Sequence, residues 1–286
     1  MNEANPPTTE TWWEIHIACS DPDEAAALAS FAGAALTETL SENAIRAFVS
    51  GDANDFIAAL PDSLTVTGRK AVERRNWHES CPELWEPKRI SNLTVIPVKG
   101  LADAPKRHPD EVLIIPGTGF GTGHHPATAM LIERLQGLRS FYAPNAPKTV
   151  LDLGCGSAIL ALVAKLLWPH STVVGIDNDP LALENANDNL AINQLDALPL
   201  ICGTLDDAPA ALPSSPNSRW DLIIANLYCS LLLELEPQLA SQCERLILSG
   251  VMESEATSLL AGFKRWETIS TKIEAGWFSA ELVRPR

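Results

Sequence analysis

Basic residues are scarce in this chain: 21 lysines and arginines stand against 36 acidic residues, a formal charge of −15. A nucleic-acid partner needs a basic face to release counterions from phosphates, so no direct nucleic-acid contact is expected. A basic protein or an amine-bearing substrate is what such a field attracts, although acidic charge also serves solubility by itself. Long apolar runs are missing as well. No stretch approaches the roughly twenty residues that a membrane helix requires, so no membrane partner is expected. The opening Met1-Asn2-Glu3-Ala4-Asn5-Pro6-Pro7 lacks both the basic start and the apolar stretch of a secretory signal, which makes the cytoplasm the expected location. The cysteines (Cys19, Cys81, Cys155, Cys202, Cys229, Cys243) include no Cys-x-x-Cys pair and sit mostly among apolar neighbours, which reads as buried reduced thiols.

At 286 residues there is room for a full α/β domain and something smaller, because single cores split at about this size. Residues 12–19 read as a strand, and Ser20-Asp21-Pro22 opens an alanine-rich helix to about residue 36. Apolar stretches at 36–40 and 44–49, a short helix at 52–60 and a strand at 64–67 complete the order βαββαβ. That order suits a small α+β ferredoxin-like domain over residues 1–70. It holds no catalytic cluster. Residues 71–100 turn to charges, prolines and tryptophans, a linker either packed by Trp77 and Trp85 or using them to line a substrate entrance.

Over residues 101–286 strands and helices alternate. Strands are expected at 112–115, 149–153, 172–176, 198–202, 221–225 and 246–251, with helices at 126–138, 158–167, 181–193 and 230–240. Such alternation requires a mainly parallel, Rossmann-like sheet with helices on both faces. The end differs: apolar stretches at 266–273 and 277–283 flank Glu274-Ala275-Gly276, a hairpin signal, so the sheet finishes antiparallel. A Pro/Ser-rich loop is expected at 209–218.

The chemistry concentrates where the apolar strand Thr149-Val150-Leu151-Asp152-Leu153 runs into Gly154-Cys155-Gly156, and a second strand delivers Asp177 some twenty residues later. Glycine lets a backbone turn sharply and approach a ligand closely, while a carboxylate at the end of the next strand can accept both ribose hydroxyl hydrogens. The pairing marks a nucleotide-type cofactor site. The plainer alternative is a tight βα turn with Asp177 capping the helix that Asp179-Pro180 begins. A dinucleotide fingerprint needs a third glycine three residues beyond Gly156, but that position is Ile159, so the dehydrogenase pattern fails.

A glycine pair after one strand, an acid after the next and a terminal β-hairpin together resemble the class I S-adenosylmethionine-dependent methyltransferases. Within that class, Phe120-Gly121-Thr122-Gly123-His124-His125-Pro126-Ala127-Thr128 is similar to the signature of the PrmA family, which methylates ribosomal protein L11. Leu151 to Ser157, Gly175 to Pro180, Ala225-Asn226-Leu227 and Leu248 to Val251 match in order and spacing, so the likeness covers nearly the whole chain. The resemblance implies S-adenosylmethionine as cofactor, a lysine or α-amine of a ribosomal protein as acceptor, and an N-terminal domain that docks the substrate while the linker lets the catalytic domain reach several amines. By the same resemblance Thr128, Gly154, Asp177 and Asn226 contact the cofactor, Asn226 also orients the reacting amine, and Asp152 lies against the methionine half.

The chain departs from the family pattern at Ala158 (usually glycine), His124 and Ala127 (usually threonine), and across Asn226-Leu227-Tyr228-Cys229-Ser230-Leu231-Leu232. These departures leave two other readings: the same fold acting on another protein or a small molecule, or a non-catalytic relative. His124 and His125 lack a third ligand at a recognised metal spacing, so His125 is expected to hydrogen-bond loop backbone and no metal is expected. Cys155 has no His/Asp partner nearby and is expected to be structural. Tyr228 has two readings, a ring beside the acceptor amine or a core residue.

Overall fold

A computed structural model describes residues 12–34, 36–61, 63–72, 85–116, 123–143, 145–195, 198–208 and 219–285. The chain divides into two compact units, Met1–Glu83 and Leu84–Arg286.

In the first unit, β1 (Trp12–Ala18), α1 (Pro22–Phe31), β2 (Leu36–Ser41), β3 (Ala44–Ser50), α2 (Ala53–Ala59) and β4 (Thr65–Val72) follow the expected order. The strands form one antiparallel sheet in the order β2-β3-β1-β4. Alternate residues of β1 and β3, Ile15 and Ile17 with Ile45, Ala47 and Val49, turn toward Ala25 and Ala29 of α1 and Phe56 of α2. Period two on the strands thus meets one helix face. Asp52 caps α2 by accepting from Asn54 N at 2.7 Å. Helix α1 stops short of residue 36 because Gly33, with φ of +105°, turns the chain out of the helix.

Within the stretch expected as a linker, β4 continues to Val72, and β5 (Lys88–Ile90) and β6 (Leu93–Pro97) pair with β7 (Glu111–Ile114) in a three-stranded sheet of the second unit. Short strands of three and five residues, the first opening Lys88-Arg89, carry too little alternation to be read locally. Trp77 and the loop 209–218 lie outside the described residues.

The remaining elements are α3 (Pro126–Phe141), β8 (Thr149–Leu153), α4 (Ile159–Leu167), β9 (Thr172–Asp177), α5 (Pro180–Ile192), β10 (Leu200–Cys202), β11 (Leu222–Asn226), α6 (Cys229–Gln242), β12 (Arg245–Met252), α7 (Ala256–Gly262), β13 (Glu267–Glu274) and β14 (Trp277–Val283). Seven strands pair in the order β10-β9-β8-β11-β12-β14-β13; the first five run parallel, and β14 pairs antiparallel with both β12 and β13. Every residue of β8 is buried, as a strand covered on both faces requires. Val150 faces one core with Ile159, Leu162 and Val163 of α4, and Leu151 and Leu153 face the other with Leu232 and Leu239 of α6. Each of those large α4 side chains stabilises the fold by roughly 1.5–3 kcal/mol through burial. The hairpin turns on Ala275 and Gly276, both at positive φ (50° and 78°), the conformation that matches the right-handed twist of paired strands. No helix among the described residues is long and apolar enough to cross a membrane.

Candidate active site

The carboxyl ends of β8, β9, β10 and β11 open onto a cleft of about 560 Å³ lined by Gly154, Asp177, Asn178, Thr204, Leu227 and Leu231 among others. Open α/β sheets bind ligands there because the strand order reverses, and β8 is where this sheet switches direction. Ile176 O accepts from both Gly154 N (2.9 Å) and Cys155 N (3.0 Å), and Asp177 O accepts from Gly203 N (2.9 Å), which locks the three strand ends together.

Asp177 is half-buried at the tip of β9. Its Oδ2 accepts from Gly156 N at 2.8 Å and its Oδ1 from Asp179 N at 3.0 Å. A carboxylate has about four lone-pair sites, so each oxygen keeps one for a ligand hydroxyl. Helix α5 is capped by Asp179, which accepts from Leu181 N at 2.9 Å, and so the capping role considered for Asp177 falls to its neighbour. Gly154 has a φ of +68°, and a Cβ built on it would sit 2.6 Å from Leu227 Cδ2. The left-handed backbone, more than this movable leucine methyl, favours glycine at the floor of the cleft. Gly154→Ala is expected to destabilise the fold by about 2 kcal/mol through the left-handed backbone and the Leu227 clash. Urea unfolding checks this, and an unchanged midpoint would refute the packing described.

Asp152 is 1% exposed. Its Oδ2 accepts from Ala161 N at 2.8 Å in the first turn of α4, whose own cap position, Ala158, offers no side-chain hydrogen bond. Asp152 thus caps that helix from the adjacent strand. Its Oδ1 is buried with no hydrogen-bond partner among the described residues. Burial pushes its pKa up to about 7; the Ala161 N–H opposes the rise and the Asp177 charge adds to it.

Thr128 and Asn226 meet from distant elements. Thr128 lies in the first turn of α3, 1% exposed, and Asn226 Nδ2 donates to its Oγ1 at 3.2 Å from the end of β11. Neither lines the cleft; Leu227, next in the chain to Asn226, forms the wall against Gly154 and joins the two pairs. Gly250 (φ of +84°) sits behind them, where a Cβ would lie 2.8 Å from Leu227 O.

The flanking histidines have local uses. His124 Nε2 donates to Glu86 O at 2.9 Å. Lys88 Nζ donates to His124 O at 2.8 Å. His125 caps α3, accepting from Ala127 N at 3.3 Å through Nδ1, and its ring lies edge-on to Trp277 with centroids 4.4 Å apart. Burial and the Lys88 charge lower its pKa to about 4, so it remains the neutral acceptor that the cap needs. Because the folded pKa lies below the ordinary 6.5, stability present above that pH is lost as pH falls toward 4, by at most about 3 kcal/mol. Asp152, raised rather than lowered, works oppositely and loses stability as pH rises from about 4 to 7. The comparison that isolates the histidine is with His125→Asn, which keeps a capping side chain. The wild type's advantage over that variant in urea unfolding should shrink between pH 7 and pH 5, and a constant difference would refute the cap.

Ala158 has a φ of 61°, which explains why glycine suits this position. Its methyl is fully buried in the core under α4 and does not line the cleft. Cys155 is buried with its thiol pKa pushed far up by burial, consistent with a structural role. Of the other cysteines, Cys229 and Cys243 are buried, Cys19 is half-buried and Cys202, against expectation, is exposed at the end of β10; Cys81 is outside the described residues. Tyr228 is 42% exposed and so is not a core residue. The sequence pattern missed Asn178, Thr204 and Asp206, and the α6 wall of Leu231, Glu234, Leu235 and Gln238. The first three are signalled only by their place after β9 and β10, and Gln238 is brought in by donating to Asp206 Oδ1 at 2.9 Å.

A parallel sheet closed by an antiparallel hairpin, with a glycine turn and a strand-end carboxylate facing one cleft, defines a class I methyltransferase. The chain belongs to the ribosomal protein L11 methyltransferase (PrmA) family, whose model it matches over residues 24–285. It is 35% identical over 233 residues to the ribosomal protein L11 methyltransferase of Cupriavidus pinatubonensis, covering 78% of this chain and 71% of that one. It is 34% identical over 220 residues to the enzyme of the same name from Azotobacter vinelandii, covering 74% and 70%. The crystal structure of a ribosomal protein L11 methylase from Lactobacillus delbrueckii subsp. bulgaricus shares the fold, with a TM-score of 0.56 at 24% identity over 71% of this chain and all of that one. Family membership makes S-adenosylmethionine the methyl donor. The residues present fit it: Gly154 brings bare backbone to the cleft at positive φ, Asp177 retains acceptors for a diol, and Asp152 Oδ1 is a buried polar atom with no hydrogen-bond partner among the described residues.

Proposed function

We propose that this protein methylates lysine side chains or the α-amine of ribosomal protein L11 in the cytoplasm, with Thr128, Gly154, Asp177 and Asn226 as its cofactor contacts. The observation that carries the reading is the cleft in which the bare backbone of Gly154 faces the carboxylate of Asp177, with Asn226 one residue from the Leu227 wall. S-adenosylmethionine supplies a methyl already activated by a positive sulfur, so the protein's task is alignment and exclusion of water. Asp177 accepts the ribose hydroxyl hydrogens. Thr128, in the first turn of α3, offers a hydroxyl and nearby N–H groups to a carboxylate.

Asn226 spends its Nδ2 on Thr128, which leaves Oδ1 to accept an N–H of the incoming amine and aim its lone pair at the methyl carbon. The amine must arrive neutral; it gives its proton to water as the site closes over it, since desolvation lowers the pKa of an ammonium group. The charge of −15 draws in a basic substrate protein, and the first unit docks it. Incubating the protein with ribosomal protein L11 and methyl-labelled S-adenosylmethionine, followed by peptide mass spectrometry, tests this. Label on lysines or the N-terminus of L11 is expected; label absent from L11 would overturn the acceptor assignment.

A further inference from the structure

We infer that Asn189 is a positioning residue that holds the end of β7 and the glycine turn at a fixed separation, a role that rests on reading the cleft as the methyl-donor site. Asn185, Asn189 and Asn193 recur every four residues along and just beyond α5, so they share one face of it. That face meets β7, the edge strand of its sheet. Asn193 Nδ2 donates to Leu113 O (2.7 Å) and its Oδ1 accepts from Leu113 N (3.0 Å). Asn185 Nδ2 donates to Ile115 O at 3.0 Å, and Asn189 Oδ1 accepts from Ile115 N at 2.7 Å. Three carboxamides stand where a neighbouring strand would otherwise satisfy the backbone.

Asn189 does something its two companions do not. Its Nδ2 donates at 3.0 Å to Ser157 O, the residue directly after Gly156, and the side chain is fully buried. Ile115 directly follows β7, while Ser157 closes the turn that begins at Gly154. One planar amide therefore ties the end of β7 to the glycine turn, and neither can shift against the other without breaking a buried hydrogen bond. Asn193 provides the control, because its contacts to Leu113 hold the same strand without touching the glycine turn.

Calorimetric titration of the full chain with S-adenosylhomocysteine tests the assignment. Asn189→Ala is expected to weaken binding by about tenfold, since small displacements of positioning groups are costly, whereas Asn193→Ala lowers thermal stability but changes affinity less than about twofold. Asn189→Asp keeps the acceptor for Ile115 N, loses the donor to Ser157 O, and should follow Asn189→Ala. Both Asn189 variants binding like wild type, or Asn193→Ala weakening binding equally, overturns the inference alone. A wild-type protein that binds no S-adenosylhomocysteine overturns the cleft reading and this inference with it. Should both Asn189 variants fail to fold, hydrogen exchange on the wild type decides: the ligand must protect peptides covering 112–116 and 154–158 together. Protection confined to the second peptide refutes the coupling.

Discussion

Asp177→Ala lowers affinity for S-adenosylhomocysteine at least about a hundredfold in isothermal titration calorimetry, the largest binding effect expected of any single substitution here. Two hydrogen bonds to an ionised acceptor are lost, each worth about 1.5–3 kcal/mol, and 1.4 kcal/mol corresponds to a tenfold change. The carboxylate also accepts from Gly156 N and Asp179 N, so the turn that faces the ligand loses its own anchor with the same substitution. Asp177→Asn keeps one acceptor oxygen and most of the shape, and its loss should be nearer tenfold. An alanine variant that binds within about fivefold of wild type would remove the central support for the cofactor site.

Asn226→Ala is expected to slow methyl transfer to ribosomal protein L11 by a factor of about 10² to 10³, the scale seen when one preorganised polar group is deleted from a reacting centre. Single-turnover transfer of labelled methyl measures the step directly. Cofactor affinity should fall too, as the loss of one contact, but by less than for Asp177→Ala, because Asn226 stands beside rather than in the 560 Å³ cleft in which Asp177 sits. Thr128→Val removes the hydroxyl that pins Asn226 Nδ2 while keeping the shape, and its rate should lie between the two. If Asn226→Ala retained full single-turnover transfer at saturating cofactor, Asn226 would be a cofactor contact alone and the aiming role would be wrong.

Helices and strands of the large sheet are legible because their signals are local. β8, α4 and β9 fall within a residue or so of where hydrophobic periodicity places them, since a strand buried on both faces must be continuously apolar and a glycine turn must follow it. The βαββαβ order of the first unit is legible for the same reason. β5 and β6 are not, because β5 is three residues with two charges and β6, though alternating, is only five residues long, too short to stand out from a linker. Cys202 illustrates a different failure: its neighbours Leu200 and Ile201 are apolar, yet β10 is an edge strand with its end in solvent, so the thiol is exposed.

What the sequence by itself determined is the pair Gly154 and Asp177, because a turn that tolerates positive φ and a carboxylate that ends the next strand are fixed by residue type and spacing along one continuous segment. Only tertiary structure decided what surrounds them. Thr128 and Asn226, 98 positions apart, share a hydrogen bond because α3 crosses the end of β11. Asp152 caps α4 from a neighbouring strand, and Asn189 binds Ile115 and Ser157 at once. A hydrogen bond between residues distant in the chain leaves no periodic trace in either segment, since its partners are chosen by how packed layers happen to meet.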